Sequence, residues 1–322
     1  MRQIAYAALA VLLGLLALTD AAAQAWRQKP VRISVAFTAG GTTDVLARTV
    51  GNRLSDKLKQ PFVIENKPGA GGNIGTELVV RAPADGYTLI VNSVGPMAVN
   101  ATLYGNLPYN PLTDLVPIVQ IADVPNVLVV PPGAGVKDME SFLAYAKKNA
   151  GKMNYSSTGI GTSSHLSGYM LASRAGFEAT HIPYKGAEAL KDLLAGRIQF
   201  MFATIPSVIA HIKAGTLVAI AVTSTKRSRS MPEVPTVGES GFPGFEAGSW
   251  FGFFGPKGTP REVVDTLNKA VNEIIVEKDV ESRMVEQGAD PVDRTPERFG
   301  AFVKSEHDKW AKVVKESGAK VD

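Results

Sequence analysis

Strand and helix patterns alternate along most of this chain, and that alternation limits the folds available to it. Residues 31–37 alternate apolar with polar or small side chains in a period of two, which is typical of a strand, and the chain then turns at Gly40. From Thr43 to Leu58 the apolar residues recur about every four positions, which is the spacing of an amphipathic helix. Short β-like runs and helical segments continue in turn up to residue 222. The pattern predicts an α/β fold with largely parallel sheets and helices on both faces.

The length of the chain and two irregular segments predict two lobes. A single core rarely grows past roughly 250–300 residues, and the sequence has 322. The segments 109–132 and 231–249 are rich in proline or glycine and lack a helical period, so each is interpreted as a crossing between lobes. The predicted first lobe is discontinuous, with residues 26–120 and 245–322, and residues 121–244 form the predicted second lobe.

The first 25 residues are predicted to be an export signal. Arg2 precedes an apolar run from Ile4 to Leu18, and Ala23 and Ala25 supply the small residues that a signal peptidase reads. A membrane anchor is the alternative, but this run is shorter than the roughly 20 residues that cross a bilayer. Cleavage before Trp26 and a periplasmic location are therefore expected.

Composition and missing motifs exclude several classes of protein. The chain has no cysteine, which excludes disulfide scaffolds, cysteine-ligated metals, a thiol nucleophile and a lipid-anchored cysteine. The net charge is only +4 and the charges are scattered, so nucleic acid is not an expected partner. The glycine cluster 69–75 has Ile74 where a dinucleotide-binding loop needs its third glycine, and is instead predicted to form a tight turn. The four histidines lack a metal-ligand spacing, and neither a cofactor nor a metal is expected.

Two loops at strand–helix junctions form the predicted binding site. Residues 37–44 and 154–164 both combine glycines, which allow close approach of the backbone, with small hydroxyl side chains. Helix N-termini at such junctions present unpaired N–H groups and a partial positive charge, so two facing loops would hold an anion. The alternative is that both are merely capped helix starts. For Asp44 the alternatives are a complement to the helix dipole or a ligand contact, and for His165 a structural role or an anion contact.

The chain resembles the Bug family of periplasmic solute receptors that serve tripartite tricarboxylate transporters. The resemblance extends over nearly all of residues 26–322. It rests on AFTAGGTTDVLAR at 36–48, VIENKPGAGGNIGTELVVRAPADGYTLIVN at 63–92, NYSSTGIGTSSHL at 154–166, HIPYKGA at 181–187, AVTSTKRS at 221–228 and VPTVGESGFPGFEAGSWFGFFGPKGTPRE at 234–262.

The resemblance implies a type II periplasmic-binding-protein fold, whose two lobes close over a small carboxylate in the cleft between them. It implies that the ligand is gripped by backbone groups and hydroxyls of the two loops rather than by an arginine. Adding Asp44 and a residue at the pocket floor, the predicted ligand-binding residues are Phe37, Thr38, Ala39, Gly40, Gly41, Thr42, Asp44, Ser156, Ser157, Thr158, Gly161, Thr162, Ser163 and Thr204.

Three departures from the family pattern bear on the ligand. Ala36 replaces the usual proline, the segment after HIPYKGA is one residue shorter, and Ala203 and Thr204 stand where Asp and Asn are frequent. The last departure affects the pocket floor and favours a ligand less polar than an amino acid.

The predicted function is that of a monomeric, non-catalytic receptor that delivers a small carboxylate to the membrane components of a tripartite tricarboxylate transporter. The alternative is an exported serine hydrolase that uses Ser157 or Ser163 with His165. Ser163 and His165 are only two positions apart at a helix start, where side chains diverge, which disfavours contact between nucleophile and base.

Overall fold

The computed structural model describes residues 26, 28–186 and 188–317. The predicted export signal, residues 1–25, lies outside the described residues. Within the described part, no helix is long and apolar enough to cross a membrane.

Eleven strands and ten α-helices form within the described residues. The strands are β1 Val31–Val35, β2 Phe62–Asn66, β3 Thr88–Ser93, β4 Leu115–Val124, β5 Asn126–Val130, β6 Asn154–Ser157, β7 Thr180–Pro183, β8 Phe200–Thr204, β9 Val218–Val222, β10 Ser249–Pro256 and β11 Asp290–Pro291. The helices are α1 Thr42–Leu58, α2 Asn73–Val80, α3 Asn100–Leu103, α4 Met139–Lys148, α5 Ser163–Ala175, α6 Ala189–Leu194, α7 Ile205–Lys213, α8 Arg261–Ile275, α9 Lys278–Glu286 and α10 Pro296–Ser317.

The strands form two separate sheets. The first has the order β11-β4-β10-β3-β1-β2, and the second has the order β7-β6-β8-β5-β9. The strand β1 pairs in parallel with β2 and β3, and β6 pairs in parallel with β7 and β8. The predicted α/β class is confirmed, although antiparallel pairs are more frequent than expected. They arise because β5 and β10 begin at the edge where the parallel strands end: Asn126 pairs with Thr204, and Phe251 pairs with Ser93.

Helices cover both faces of the first sheet. In β3, Leu89 and Val91 pack with α1 and α8, whereas Ile90 between them points the other way and packs with α10. The indole N–H groups of Trp250 and Trp310 both donate to one carboxylate oxygen of the buried Glu306, at 3.2 and 2.9 Å. These bonds satisfy two buried donors and fasten α10 to β10.

The chain crosses between the sheets twice. Only Pro125 separates β4 from β5, and residues 223–248 lead from β9 back to β10. The buried side chain of Asn126 donates to the Ala247 carbonyl at 2.8 Å, and its backbone N–H donates to the Thr223 hydroxyl at 2.9 Å. The two crossings are therefore hydrogen-bonded side by side. The boundary predicted after residue 120 falls inside β4, and the division into lobes at residues 120 and 245 stays a prediction.

Candidate functional site

A cleft of about 260 Å³ lies between the two sheets, where the ends of β1 and β3 face the end of β8. Its walls are more apolar than polar, and within the described residues they include no lysine, arginine, aspartate or glutamate. The lining residues are Phe37, Gly40, Gly41, Thr42, Thr43, Ser93, Thr158, Thr162, Ser163, Gly186, Leu190, Met201, Thr204, Ser207, Val208, His211, Ser249 and Phe251.

Three helices begin at this cleft. The N-cap residues are Gly41 of α1, Thr162 of α5 and Thr204 of α7, and all three line the cleft. Only the Thr162 side chain, among these three, accepts a hydrogen bond from its own helix, from the His165 N–H at 3.4 Å. The first turn of α1 thus keeps N–H donors that no cap side chain satisfies, whereas in α7 the Ile205 N–H donates to the Pro125 carbonyl at 3.2 Å and Pro206 has no N–H. All three dipoles present their positive ends. Such an arrangement can hold an anion without a charged side chain.

The first loop is held in place by Asp44, which is buried. The Asp44 carboxylate accepts the Gly40 N–H at 3.0 Å and the Asn66 amide at 2.9 Å, and it pairs with Arg48 at 2.9 Å. The same Asn66 amide donates to the Phe37 carbonyl at 3.0 Å. Burial by itself raises the pKa of the Asp44 carboxyl, but the hydrogen bonds from Arg48, Gly40 and Asn66 outweigh it and hold that pKa below its usual range. The carboxylate is therefore occupied by the loop and is not among the groups that line the cleft.

A polar contact bridges the cleft between the two sheets. The hydroxyl oxygens of Thr42 and Thr204 lie 2.7 Å apart. Ser207 donates to the Thr204 carbonyl at 2.7 Å, which fixes the start of α7. The predicted pocket-floor residue, Thr204, thus lies at the boundary between the two walls of the cleft.

In the second loop, the residues of β6 lie behind the cleft rather than in it. Ser156 and Ser157 are fully buried, and the Ser157 hydroxyl lies 2.6 Å from His181 Nε2 and accepts the Gly159 N–H at 3.1 Å. This hydroxyl positions the loop and is inaccessible to a ligand in the cleft.

The hydrolase alternative is not supported. It requires a serine beside His165, but His165 Nδ1 accepts the Gly161 N–H at 3.3 Å, and Ser163 donates to Asn126 Oδ1 at 3.3 Å. Ser157 contacts His181 instead, and its burial keeps it from attacking a bound substrate.

A second contact between the two walls consists almost entirely of backbone, and we call it the glycine seam: Gly71 on one side, Gly159 and Ile160 on the other. A Cβ atom on Gly71 would lie closer to the Ile160 carbonyl oxygen than real Cβ atoms come to backbone, and one on Gly159 would lie 3.5 Å from the Gly71 Cα. Gly71 has φ +60° and belongs to a tight turn that leads into α2, as the sequence predicted.

Gly161, the residue after Ile160 of the glycine seam, packs against Asn100. Its Cα lies against the side-chain oxygen of Asn100, in a position where any Cβ would overlap that oxygen. Asn100 donates to Asn73 Oδ1 at 2.6 Å and to the Gly71 carbonyl at 3.3 Å, so the amide that holds the turn before α2 also packs against the second loop at Gly161.

The sequence located about half of the lining. Eight of the predicted ligand-binding residues line the cleft: Phe37, Gly40, Gly41, Thr42, Thr158, Thr162, Ser163 and Thr204. Six lie outside the lining: Thr38, Ala39, Asp44, Ser156, Ser157 and Gly161. The lining residues that sequence reasoning missed are Thr43, Ser93, Gly186, Leu190, Met201, Ser207, Val208, His211, Ser249 and Phe251. A signal for some of them was present, since Thr204, Ser207, Val208 and His211 have the spacing of one helix face. Ligand contact by the eight stays a prediction.

A buried pair of histidines below the second loop makes the fold sensitive to acid. The rings of His165 and His181 stack 3.9 Å apart. Burial lowers the pKa of His165 to about 4, and burial together with the neighbouring His165 lowers the pKa of His181 to about 3. An unfolded histidine titrates near 6.5, so below that pH the unfolded chain binds more protons than the folded one.

We expect the free energy of unfolding to fall as the pH drops from about 6.5 through about 4, with a loss of about 3 kcal/mol from His165 alone. Denaturant unfolding at a series of pH values measures this loss. His165→Gln is expected to make the acid loss less steep, because only His181 of the buried pair then remains to take up a proton. An equally steep acid loss in His165→Gln would contradict this explanation.

Comparison with known proteins gives one consistent family. A family model described as the tripartite tricarboxylate transporter family receptor matches residues 46–319. Protein BugT of Bordetella pertussis is 39% identical over 301 residues, which cover 93% of this chain and 92% of that protein. Two solved structures agree with this family. Rpa4515 of R. palustris with adipate is 37% identical, with a TM-score of 0.89 over 91% of this chain and 98% of that chain. The periplasmic binding protein BugD is 38% identical, with a TM-score of 0.87 over 91% of this chain and 99% of that chain.

Proposed function

The chain belongs to the tripartite tricarboxylate transporter receptor family, and we propose that it captures a small organic carboxylate in the cleft and delivers it to the membrane components of such a transporter. The observation that carries this proposal is the convergence of three helix N-termini on a cleft whose described lining holds no charged side chain. Unpaired N–H groups and hydroxyls can surround a carboxylate there, and the helix dipoles stabilise its charge. The related protein Rpa4515, which holds adipate, supports the same ligand class.

The contacts across the cleft suggest how binding is coupled to shape. The Thr42–Thr204 contact and the glycine seam exist only while the two walls are close together. The two crossings between the sheets lie side by side near Asn126. When the walls separate, backbone torsions therefore have to change only at these two crossings. A ligand that contacts both walls binds the closed form better than the open form and shifts the population toward it. The closed receptor is then the form that the membrane components distinguish from the empty one.

The proposal includes the absence of catalysis, a periplasmic location and a monomeric state. The family and its solved relatives are receptors rather than enzymes. The described lining contains one histidine, His211, and within the described residues no group of acidic and histidine side chains could hold a metal. We therefore expect bound ligand to be recovered unchanged.

A panel of small carboxylates tests the proposed function. At a hundred times its dissociation constant, a ligand adds about 2.7 kcal/mol to the free energy of unfolding. For a chain of this size that corresponds to a rise in melting temperature of about 5–10 °C. We expect at least one acid to give such a rise, and dicarboxylates that lack an amine to exceed aspartate and glutamate, because the described lining has no carboxylate for an ammonium group.

The matched controls are the amides of the same acids, which keep the shape and remove the charge. They are expected to give little or no rise. Equal rises from acid and amide would contradict an anion site, and consumption of the ligand would restore the case for an enzyme.

A further inference from the structure

One face of α7 lies along the cleft. Ser207, Val208 and His211 lie on that face, and Thr204 precedes it at the N-cap. At 1.5 Å per residue, the distance along the helix from Thr204 to His211 is about 10 Å. Leu190 of α6 and Met201 of β8 line the cleft as well, and both are apolar. The cleft is therefore an elongated site with hydroxyls and N–H donors at one end and an imidazole at the other.

His211 is positioned by the turn that follows α7. Its Nδ1 lies 3.1 Å from the Thr216 hydroxyl, which also donates to the His211 carbonyl at 3.1 Å. The Thr216 hydroxyl has a single proton; when that proton is turned toward Nδ1 instead of the carbonyl, Nε2 carries the ring N–H and is the nitrogen left to donate to a ligand. His211 lines the cleft, so its imidazole is within reach of a ligand there. Two χ angles and one hydrogen bond fix this side chain, so little rotamer entropy is lost when a ligand binds.

We propose that His211 is a specificity-determining residue and recognises the second carboxylate of a linear aliphatic dicarboxylate. The proposal rests on the proposed function, since the first carboxylate occupies the helix N-termini. The aliphatic middle of the ligand packs on Leu190, Met201 and Val208, and the imidazole N–H donates to the distal carboxylate. That carboxylate would otherwise face the C-terminal half of α7, where the helix dipole disfavours an anion. The hydrogen bond from the imidazole offsets the unfavourable interaction between that carboxylate and the helix dipole.

Adipate, hexanoate and 6-aminohexanoate test the proposal, because they share one chain length and differ only at the distal end. We expect the unmodified protein to bind adipate at least about tenfold more tightly than hexanoate, the effect of one hydrogen bond to a charged group. In His211→Leu we expect the adipate affinity to fall to that of hexanoate while the hexanoate affinity stays the same. Isothermal titration calorimetry measures all three dissociation constants.

Two further variants separate recognition from general damage. His211→Gln retains an N–H donor and is expected to recover part of the preference for adipate. Lys213→Leu, an exposed residue in the same last turn that does not line the cleft, is expected to leave the preference unchanged. A melting temperature for each variant checks that it folds.

Several results would overturn the proposal. A preference for adipate that persists in His211→Leu would remove His211 from recognition, and tighter binding of 6-aminohexanoate would mean a distal cation. If short acids raise the melting temperature but adipate does not bind, the proposed function stands and the elongated ligand is wrong. If no acid of any length binds, the proposed function itself fails.

Discussion

Gly71→Ala is expected to weaken carboxylate binding by roughly 10–100-fold, although Gly71 is not among the residues that line the cleft. The added methyl group would overlap the Ile160 carbonyl oxygen, and that overlap exists only when the walls of the cleft are together. The open form has no such overlap, so the substitution raises the free energy of the closed form relative to the open one. Because ligand binds the closed form, the apparent affinity falls by the same factor. Calorimetric titration of the best acid from the panel measures it.

Gly135→Ala is the matched control for that prediction. Gly135 has φ +67°, close to the φ of +60° at Gly71, but a Cβ there meets no described atom within 4 Å. Both substitutions cost about 1–2 kcal/mol in free energy of unfolding from the left-handed backbone. Only Gly71→Ala is expected to lose affinity. Equal affinity in the two variants would show that the seam need not close for binding.

Asp44→Ala is expected to lower the free energy of unfolding by about 2–4 kcal/mol and to weaken every carboxylate of the panel alike. The substitution leaves the Gly40 N–H and the Asn66 amide without their acceptor and removes the partner of Arg48. The first loop then loses the geometry that exposes the N-terminus of α1 to the ligand. Denaturant unfolding and titration with two unlike acids measure the two effects.

Asp56→Ala, an exposed residue on the same helix, controls for the loss of one negative charge from α1. It is expected to change the free energy of unfolding by less than about 0.5 kcal/mol. The result that would contradict a supporting role for Asp44 is a selective effect on amino acids, since that would mean that the carboxylate meets a ligand ammonium group.

The sequence was most informative where function depends on backbone and local pattern. The period change near Thr43 marked the end of β1 and the start of α1, and the hydroxyl- and glycine-rich segment 154–164 marked the start of α5. Both are short-range signals, because a helix cap and its glycines lie within a few residues of each other. The same reasoning also selected Ser156 and Ser157, which lie behind the cleft, because the sequence of a serine-rich segment does not indicate which side chains face a cleft.

The residues that sequence reasoning missed come from distant segments. Ser249 and Phe251 enter the site on β10, which reaches it only because the sheet inserts this strand beside β3. His211 looked like an isolated histidine until α7 placed it on the same face as Ser207. The pairing of Ser157 with His181, 24 residues apart, likewise depends on parallel neighbours in the second sheet. Such juxtapositions follow from strand order, which local patterns do not encode.

The position of β10 also decides when each half of the molecule can form during synthesis. The five-stranded sheet is complete once Val222 has been made, but β3 and β4 are joined only through β10, which ends at Pro256. Contacts between segments so far apart in sequence form slowly, because the entropy of closing the intervening loop opposes them. A nascent chain without β10 therefore has a half-built first sheet and is held short of its native state. Folding of the first sheet is therefore expected to finish after folding of the second sheet, because the two halves of the first sheet meet only once β10 is present.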